Sequence, residues 1–430
     1  MKNDSIEQIS ISIDKAQAYL QQLVPVIGEI ETDVPLHLAL GRVLAKDIIS
    51  PISVPPHYNS AMDGFAFHSS SFSGCNDGDG VLELAIVGKA LAGKAWSGVV
   101  STNECVQITT GAVMPTGVDT VVPSELVTLA GSSIRPSIRF PHKALFAGDN
   151  RRQAGEDLMQ GSIALLKGSR FTPAALGLVA SLGIATVPVF RLLRVAYFST
   201  GDEILSLGET LREGAIYDSN RYTMLGMLAK LGVEIVDLGV VSDDKDALEA
   251  TFHKASSSAD VVITSGGVSV GEADHTKTMM RTLGDVEFWR IAMRPGRPMA
   301  VGTLKRADGS KAVLFGLPGN PVAVMVTFLA LVRPSLLQMM GVSQEEAKPL
   351  PMLQAKSLLA IRKKAGRTEY QRGIVSNSAN GELVVQITGN QGSGVLSSMV
   401  QANGLIVLAH EQGDIAVGDT VNVMMFEGAL

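Results

Sequence analysis

The chain has 430 residues, 46% hydrophobic and 18% charged, so it can bury substantial cores and divides into about two to four domains. Its net charge of -6 argues against a broad nucleic-acid footprint, though not against a local basic pocket. Cys75 and Cys105 make no metal or redox spacing, the seven histidines are scattered and HExxH is absent, so a reducing cytosol is the expected compartment. The polar start MKNDSIEQIS lacks a signal-peptide pattern. The most apolar run, 321–332, is shorter than the ~20 residues that span a bilayer, so a soluble, cytoplasmic protein is expected.

Ser12, ahead of Ile13 and Asp14, is suited to cap a helix carrying Ala16, Tyr19, Leu20 and Leu23, with Pro25 and Gly28 beyond it. From about residue 54 to 141 the short alternating runs GVLELAIVGKA, ECVQITTGAV, DTVVPSELVTLAG and SSIRPSIRF predict a β-rich domain. Thr172-Pro173 opens a helix, AALGLVASLG, with Pro in its first turn. From Arg194 to about Gly341 strands and helices alternate: RVAYFSTG, RYTMLGMLAKLG, VEIVDLGVV, DDKDALEATFHKA and ADVVITSGG. Three further strands, VEFWRIAMRPG, PMAVGTL and KAVLFGLPG, precede a last helix, NPVAVMVTFLALVRPSLLQMMG. The alternation predicts a doubly wound α/β sheet with mainly parallel strands. After Pro349, EYQRGIVSN, ELVVQITG, GLIVLAH and TVNVMMF predict a small β-barrel of roughly 80 residues.

The loop TSGGVSVGEADHT, 264–276, follows an apolar run with β-branched residues that reads as a buried parallel strand. Gly266, Gly267 and Gly271, with Ser265 and Ser269 among them, give a backbone free to bend and to approach a ligand closely. Successive amides in such a turn can cradle an anion, and Glu272 and Asp274 close the loop with two carboxylates. The loop matches neither GxxxxGK[ST] nor GxGxxG, and by itself it reads equally well as a glycine turn with two solvated acids.

Polar groups recur at the ends of the other predicted strands. STGDE supplies Thr200, Gly201, Asp202 and Glu203; IYDSN supplies Asp218, Ser219 and Asn220; Asp243 and Asp244 follow LGVVS. In a parallel sheet several of these loops share one edge, where hard oxygen ligands suit magnesium. Singly, Asp218 and Asp243 read as helix caps. GLPGNP adds a second glycine turn, Pro318, Gly319 and Asn320, before a helix whose amides could receive a phosphate. Arg290, Arg294 and Arg297 lie close together in FWRIAMRPGRP, and the first two alternate with apolar residues as if on one strand face. Three such cations fit an oxyanion or a pyrophosphate; a solvated edge strand is the alternative. NSAMDG with Asp63, NRRQAGED with Arg152, Glu156 and Asp157, GRTEYQRG with Arg367 and Arg372, and NQGSGVLSS with Ser393 are each weak signals alone.

Taken together, NSAMDG, TTGAVMP, AGED, STGDE, IYDSN, TSGGVSVGEAD, PGRP, GLPGNPV and NQGSG resemble the MoeA/gephyrin family of molybdopterin molybdotransferases over nearly the whole chain. The resemblance implies an elongated, four-part subunit. Residues 1–52 and 149–192 would form a linking and dimerisation domain, 53–148 the β-rich domain, 193–345 the molybdopterin-binding α/β domain and 346–430 the C-terminal β-barrel. It implies a homodimer whose active site is shared between subunits, with Asp63 facing the partner's α/β domain. It implies that adenylylated molybdopterin and molybdate are the substrates, that molybdenum enters the dithiolene with release of AMP, and that magnesium assists cleavage of the pyrophosphate link. Candidate protein partners are the molybdopterin adenylyltransferase and proteins that load molybdoenzymes.

The family's functional positions fall on Asp63, Thr110, Arg152, Asp157, Glu203, Asp243, Asp274 and Ser393. Arg290 and Arg294 would hold molybdate or the pterin phosphate by charge-assisted hydrogen bonds, and Asp243 and Asp274 would hold the metal. The substrate dithiolene supplies sulfur, so no cysteine cluster is required. Three family lysines are arginines here, Arg290, Arg294 and Arg297, which preserves oxyanion binding but not proton donation by an ammonium. His57-Tyr58 replaces the usual Phe-Asp, and His275 stands where Tyr is common. A nucleotide pyrophosphatase on the same α/β domain and a pterin-binding scaffold are the competing functions.

Overall fold

Strict alternation builds the β-rich part of the chain. In the computed structural model, which describes residues 10–74, 80–267, 275–347 and 351–427, Phe65 and Phe67 enter one apolar cluster while Ala66 enters another. A strand's side chains alternate between faces, so the two clusters cover opposite sides of one sheet. That sheet has six strands, in the order Thr120–Pro123, Gly64–Phe67, Glu104–Ile108, Val81–Ala90, Pro136–Pro141 and Thr128–Gly131. Phe67 and Phe140 are fully buried with ring centroids 5.5 Å apart, and burial of each is worth roughly 1.5–3 kcal/mol. The sheet lies in a unit made of Lys46–Lys167 and Pro173–Thr186. Two short ladders accompany it, Asn59–Ser60 with Arg151–Arg152 and Ile48–Ile49 with Ile163–Leu165.

The second unit comprises Met1–Ala45, Gly168–Thr172 and Val187–Leu430. It opens with a helix at Ile13–Leu23, where Ser12 accepts from the Lys15 amide at 3.4 Å and Ile13, Ala16 and Leu20 are buried. Its α/β core runs β1 (Arg194–Thr200), α1 (Ser219–Leu231), β2 (Glu234–Val241), α2 (Lys245–Ser258), β3 (Val261–Ser265), α3 (His275–Leu283), β4 (Gly284–Ile291), β5 (Pro298–Lys305), β6 (Lys311–Leu317) and α4 (Pro321–Met339). Across the sheet the order is Ser10–Ile11, β4, β5, β6, β3, β1, β2. Neighbours among β6, β3, β1 and β2 are parallel, whereas β4, β5 and β6 form an antiparallel extension. Tyr197, Ile263 and Phe315 face α1 and α4, while Phe198, Val262 and Leu314 face α2 and α3. The sheet is therefore doubly wound, with a covered core on each face. Phe198 and Phe252 meet edge to face at 5.2 Å.

The apolar run expected to be too short for a membrane lies in a longer helix. α4 has 19 residues and is apolar enough to cross a bilayer by length and composition, yet 83% of its most apolar 18-residue stretch is buried inside the unit. A core helix covered all round reads the same as a membrane span in sequence. Its middle, Phe328–Val332, winds as a π-turn before Arg333–Met339 resumes α geometry. Pro334 has no N–H to give to Ala330, which accounts for the widened turn.

The tail closes into a five-stranded barrel of β7 (Leu353–Ser357), β8 (Thr368–Asn377), β9 (Leu383–Ile387), β10 (Gly404–Leu408) and β11 (Thr420–Met425). β8 pairs with both β9 and β10, which completes the ring. The residues Met293–Arg294, just past β4, add a parallel pairing to β8. The chain thus crosses from the α/β sheet to the barrel sheet between Ile291 and Met293.

Candidate functional site

The parallel strands deliver their following loops to one edge, and a cavity of about 1170 Å³ opens there. Its walls come from Thr200, Gly201 and Glu203 after β1, Asp243 after β2, Gly266 and Gly267 after β3, and Pro318, Gly319 and Asn320 after β6. Residues 291–298 and, from the barrel, 364–367 and 391–393 close the other side. Two lining side chains are acidic, Glu203 and Asp243, and four are cationic, Arg294, Arg297, Lys364 and Arg367. The balance favours an anionic ligand with a minor place for a cation.

IYDSN has structural duties. Asp218 caps α1 by accepting from the Arg221 amide at 3.0 Å, and Asn220 donates to the Gly319 carbonyl at 2.8 Å, which pins the second glycine turn. At α2 the cap is Asp244, which accepts from the amides of Asp246 and Ala247 at 3.1 and 3.0 Å. Asp243 is thereby free to face the cavity. Its amide donates to Asp202 at 3.1 Å, and its carboxylate accepts from the buried Thr276 hydroxyl at 3.3 Å.

The glycine loop is only partly the cradle expected. Gly266 has φ +95°, and a Cβ there would lie 2.3 Å from the Thr200 carbonyl oxygen, so only glycine fits. Its amide already donates to the Leu317 carbonyl at 3.1 Å and is not available to an anion. Ser265 is buried, and its hydroxyl lies 2.7 Å from Tyr197 Oη rather than in the cavity. Ser269, Gly271, Glu272 and Asp274 lie outside the described residues. The start of α4 differs from expectation too. The Val322 amide donates to the Ser393 carbonyl at 3.0 Å, so the barrel loop, not a phosphate, takes this helix-end donor.

The three arginines do not share one strand face. Arg290 pairs with Pro298 inside the α/β sheet, while Arg294 pairs with Glu369 in the barrel sheet. Arg294 and Arg297 line the cavity and Arg290 does not. The barrel contributes a buttress that sequence reasoning left out of the site. Arg372 is 1% exposed and donates to Ser398 Oγ at 2.9 Å and to the carbonyls of Asn390 and Gly392 at 3.2 and 2.9 Å. Burial, and then the nearby Arg294, pull its pKa down. It fixes the turn that carries Gln391 and Ser393 into the cavity wall.

The remaining expected residues belong to the unit containing the six-stranded sheet. Asp63 is exposed and accepts from Thr110 twice, from the amide at 2.6 Å and from the hydroxyl at 3.0 Å. These two bonds, the amide foremost, hold its carboxyl below the usual aspartate range. Ser124 donates to the Asp63 carbonyl through both its amide and its hydroxyl. Arg152 lies 3.7 Å from Glu156, and the Asp157 amide donates to the Val54 carbonyl at 3.1 Å.

Hard donors for a magnesium ion are present in Asp243 and Glu203. Among the described residues no three His, Cys, Asp or Glu side chains converge as a metal cage. Magnesium takes one or two carboxylates and keeps most of its waters, so this donor set suits it better than a metal needing a full protein shell.

The fold and the cavity define a multidomain α/β protein whose cleft, lined by four cationic side chains, lies at the carboxyl ends of parallel strands and is walled by a barrel. Residues 11–183 match the MoeA N-terminal region (domain I and II), 196–338 a probable molybdopterin binding domain, and 354–426 the MoeA C-terminal region (domain IV). The molybdopterin molybdenumtransferase of Haemophilus influenzae is 40% identical over 420 residues, 98% of this chain and 100% of that protein. Molybdopterin molybdenumtransferase 2 of Mycobacterium tuberculosis (strain H37Rv) is 34% identical over 91% of this chain and 94% of its own length. A crystal structure of the molybdopterin biosynthesis MoeA protein of Pyrococcus horikoshii superposes with a TM-score of 0.74 at 29% identity, covering 97% of this chain and 99% of that one. The chain belongs to the MoeA family of molybdopterin molybdenumtransferases, the family its motifs resemble.

Proposed function

We propose that this protein inserts molybdenum from molybdate into adenylylated molybdopterin and releases AMP, completing molybdenum cofactor synthesis. The observation that carries the reading is the cavity itself, at the edge of a parallel sheet, with two acidic side chains from the strand-end loops facing four cationic ones on the opposite wall. Molybdate is a tetrahedral dianion and the substrate's pyrophosphate link is anionic, so both call for cations. Arg294 and Arg297 hold the oxyanion through their planar forks, and Arg367 and Lys364 complete the positive wall. Arg290, set back in the sheet, contributes through its longer-range field. Ser393, Gln391 and Asn320 offer neutral polar contacts to the pterin phosphate and ribose, beside Gly266, Gly267, Pro318 and Gly319.

Asp243 and Asp274 would hold a magnesium ion, and Glu203 would add a further carboxylate; when bound, the ion would neutralise charge on the pyrophosphate and assist departure of AMP. Thr276, donating to Asp243, sets the direction of that carboxylate. The protein acts as a homodimer in the cytoplasm, and Asp63 serves the cleft of the partner subunit together with Thr110, Arg152 and Asp157. The motif resemblance supports this arrangement, and so does the state of Asp63, an exposed, ionised carboxylate held in one orientation. The enzyme that adenylylates molybdopterin supplies its substrate, and proteins that load molybdoenzymes take its product.

Purified protein given adenylylated molybdopterin, magnesium and molybdate should release AMP, and Asp243→Asn should cut the rate by about 10²-fold or more. AMP release indifferent to molybdate would identify a pyrophosphatase instead. An unchanged rate in the variant would remove Asp243 from the metal site.

A further inference from the structure

We propose that Glu369 is a positioning residue. Its buried carboxylate aims the Arg367 guanidinium into the cavity, and it acts on anion binding through that arginine alone. The proposal rests on the reading of the cavity as an anion site. Arg367, Glu369 and Gln371 are two residues apart in sequence, the last two within β8, and strand spacing brings such positions to one face. Arg367 Nε and Nη2 each lie 2.7 Å from Glu369 Oε1, and Gln371 Nε2 donates to Oε2 at 3.3 Å. Both carboxylate oxygens are therefore engaged. The two charged side chains differ sharply in exposure, 36% for Arg367 and 3% for Glu369.

The geometry has a direction. Arg367 lines the large cavity, whereas Glu369 and Gln371 line only an adjoining hollow of about 230 Å³, which shares Arg294, Pro295 and Gln391 with it. Only the arginine end of the relay meets the proposed ligand. A long guanidinium side chain loses rotamer freedom when it is fixed in one pose. Glu369 imposes that loss during folding, so an arriving anion finds the fork already aimed. A buried carboxylate is unfavourable without its cation, so the pair is mutually enforced. The backbone of this loop is held independently. The buried Lys363 ammonium donates to the carbonyls of Gln412 and His410 at 2.6 and 3.3 Å, and the Gly366 amide donates to His410 at 2.9 Å. Loss of Glu369 therefore frees the arginine side chain and leaves the loop in place.

The test compares the full-length native protein with Glu369→Gln, Arg367→Ala and the double variant. Calorimetric titration with inorganic pyrophosphate gives Kd, steady-state AMP release gives KM and kcat, and thermal unfolding checks the fold. Glu369→Gln should raise Kd and KM about tenfold while kcat stays within about threefold, and in the Arg367→Ala background it should add less than about twofold. An effect of Glu369→Gln that persists undiminished without Arg367, or a native-like Kd in Glu369→Gln, overturns the proposal. Should Glu369→Gln fail to fold, Glu369→Asp replaces it and must show a smaller rise of the same kind; a native-like Kd there counts against the proposal equally. Native protein that binds no pyrophosphate defeats the anion reading, and this proposal with it. Native binding unaltered by the Glu369 variant defeats this proposal alone.

Discussion

Asp260→Asn should weaken folding without touching the chemistry. Asp260 stands just before β3, at the end of the sheet opposite the cavity, and is 8% exposed. Its carboxylate takes two bonds from Arg191, at 2.7 and 2.8 Å, and one from the Arg194 amide at 2.9 Å, with Arg306 3.8 Å away. The charge is therefore shared by three strand-end segments. Removing one partner of a buried pair costs ~3–5 kcal/mol, and because Arg191 retains Glu29 the lower figure, about 3 kcal/mol, is expected. Burial pushes the Asp260 carboxyl up, but Arg191, the Arg194 amide and Arg306 together outweigh it and leave the pKa lowered.

A depressed folded-state pKa means that the stabilisation is complete above the unfolded value of about 3.9 and vanishes as pH falls through the folded one. Urea unfolding followed by circular dichroism should show the full difference at neutral pH, with the native and variant curves converging below the folded pKa. The five residues of β3 lie between Asp260 and Gly266, a separation of about 20 Å, so kcat/KM for AMP release should change by less than about twofold at 25 °C. A loss of stability under about 1 kcal/mol, or a difference that persists undiminished in acid, would refute the assignment.

A Cβ at Gly64 would lie 1.9 Å from the Val122 carbonyl oxygen, on backbone that cannot yield, so Gly64→Ala should cost about 3 kcal/mol or more, read as a fall in Tm; an unchanged Tm contradicts the contact. Thr110→Val keeps the amide bond to Asp63 and loses the hydroxyl, so the Asp63 carboxyl should titrate higher than in the native protein in a carbon-13 NMR titration. A native-like Asp63 titration in that variant would show that the hydroxyl contributes nothing. Burial pushes the Cys105 thiol up to about 12, so in a Cys75→Ser background an aromatic disulfide reagent at pH 8 should label Cys105 only after denaturation. Rapid labelling of the folded protein would contradict its burial.

Much of this architecture is legible in the sequence because periodicity reports burial. The alternating run from Val81 to Ala90 and the apolar run from Val261 to Ile263 announce their strands directly. Motifs after strands announce the cavity, because parallel strands must send such loops to one edge. Partnering is less legible. β4 and β5 read like the parallel strands, since orientation leaves little trace in a covered sheet. The separation of Arg290 from Arg294 was hidden because the chain changes sheets within three residues, and alternation assumes one continuous strand. Ser265 looked like a ligand contact because a serine beside two glycines has the same text whether its hydroxyl faces Tyr197 or solvent. Glu369 had one usable signal, a polar residue at every second position from Arg367 to Gln371.

The most direct test of molybdenum transfer is to follow the metal itself. Protein incubated with adenylylated molybdopterin, magnesium and molybdate is re-isolated, and its product is measured by molybdenum K-edge X-ray absorption beside the AMP released. The proposed function predicts molybdenum bonded to the two dithiolene sulfurs, one per AMP. Molybdenum that keeps only oxygen neighbours while AMP accumulates would contradict it.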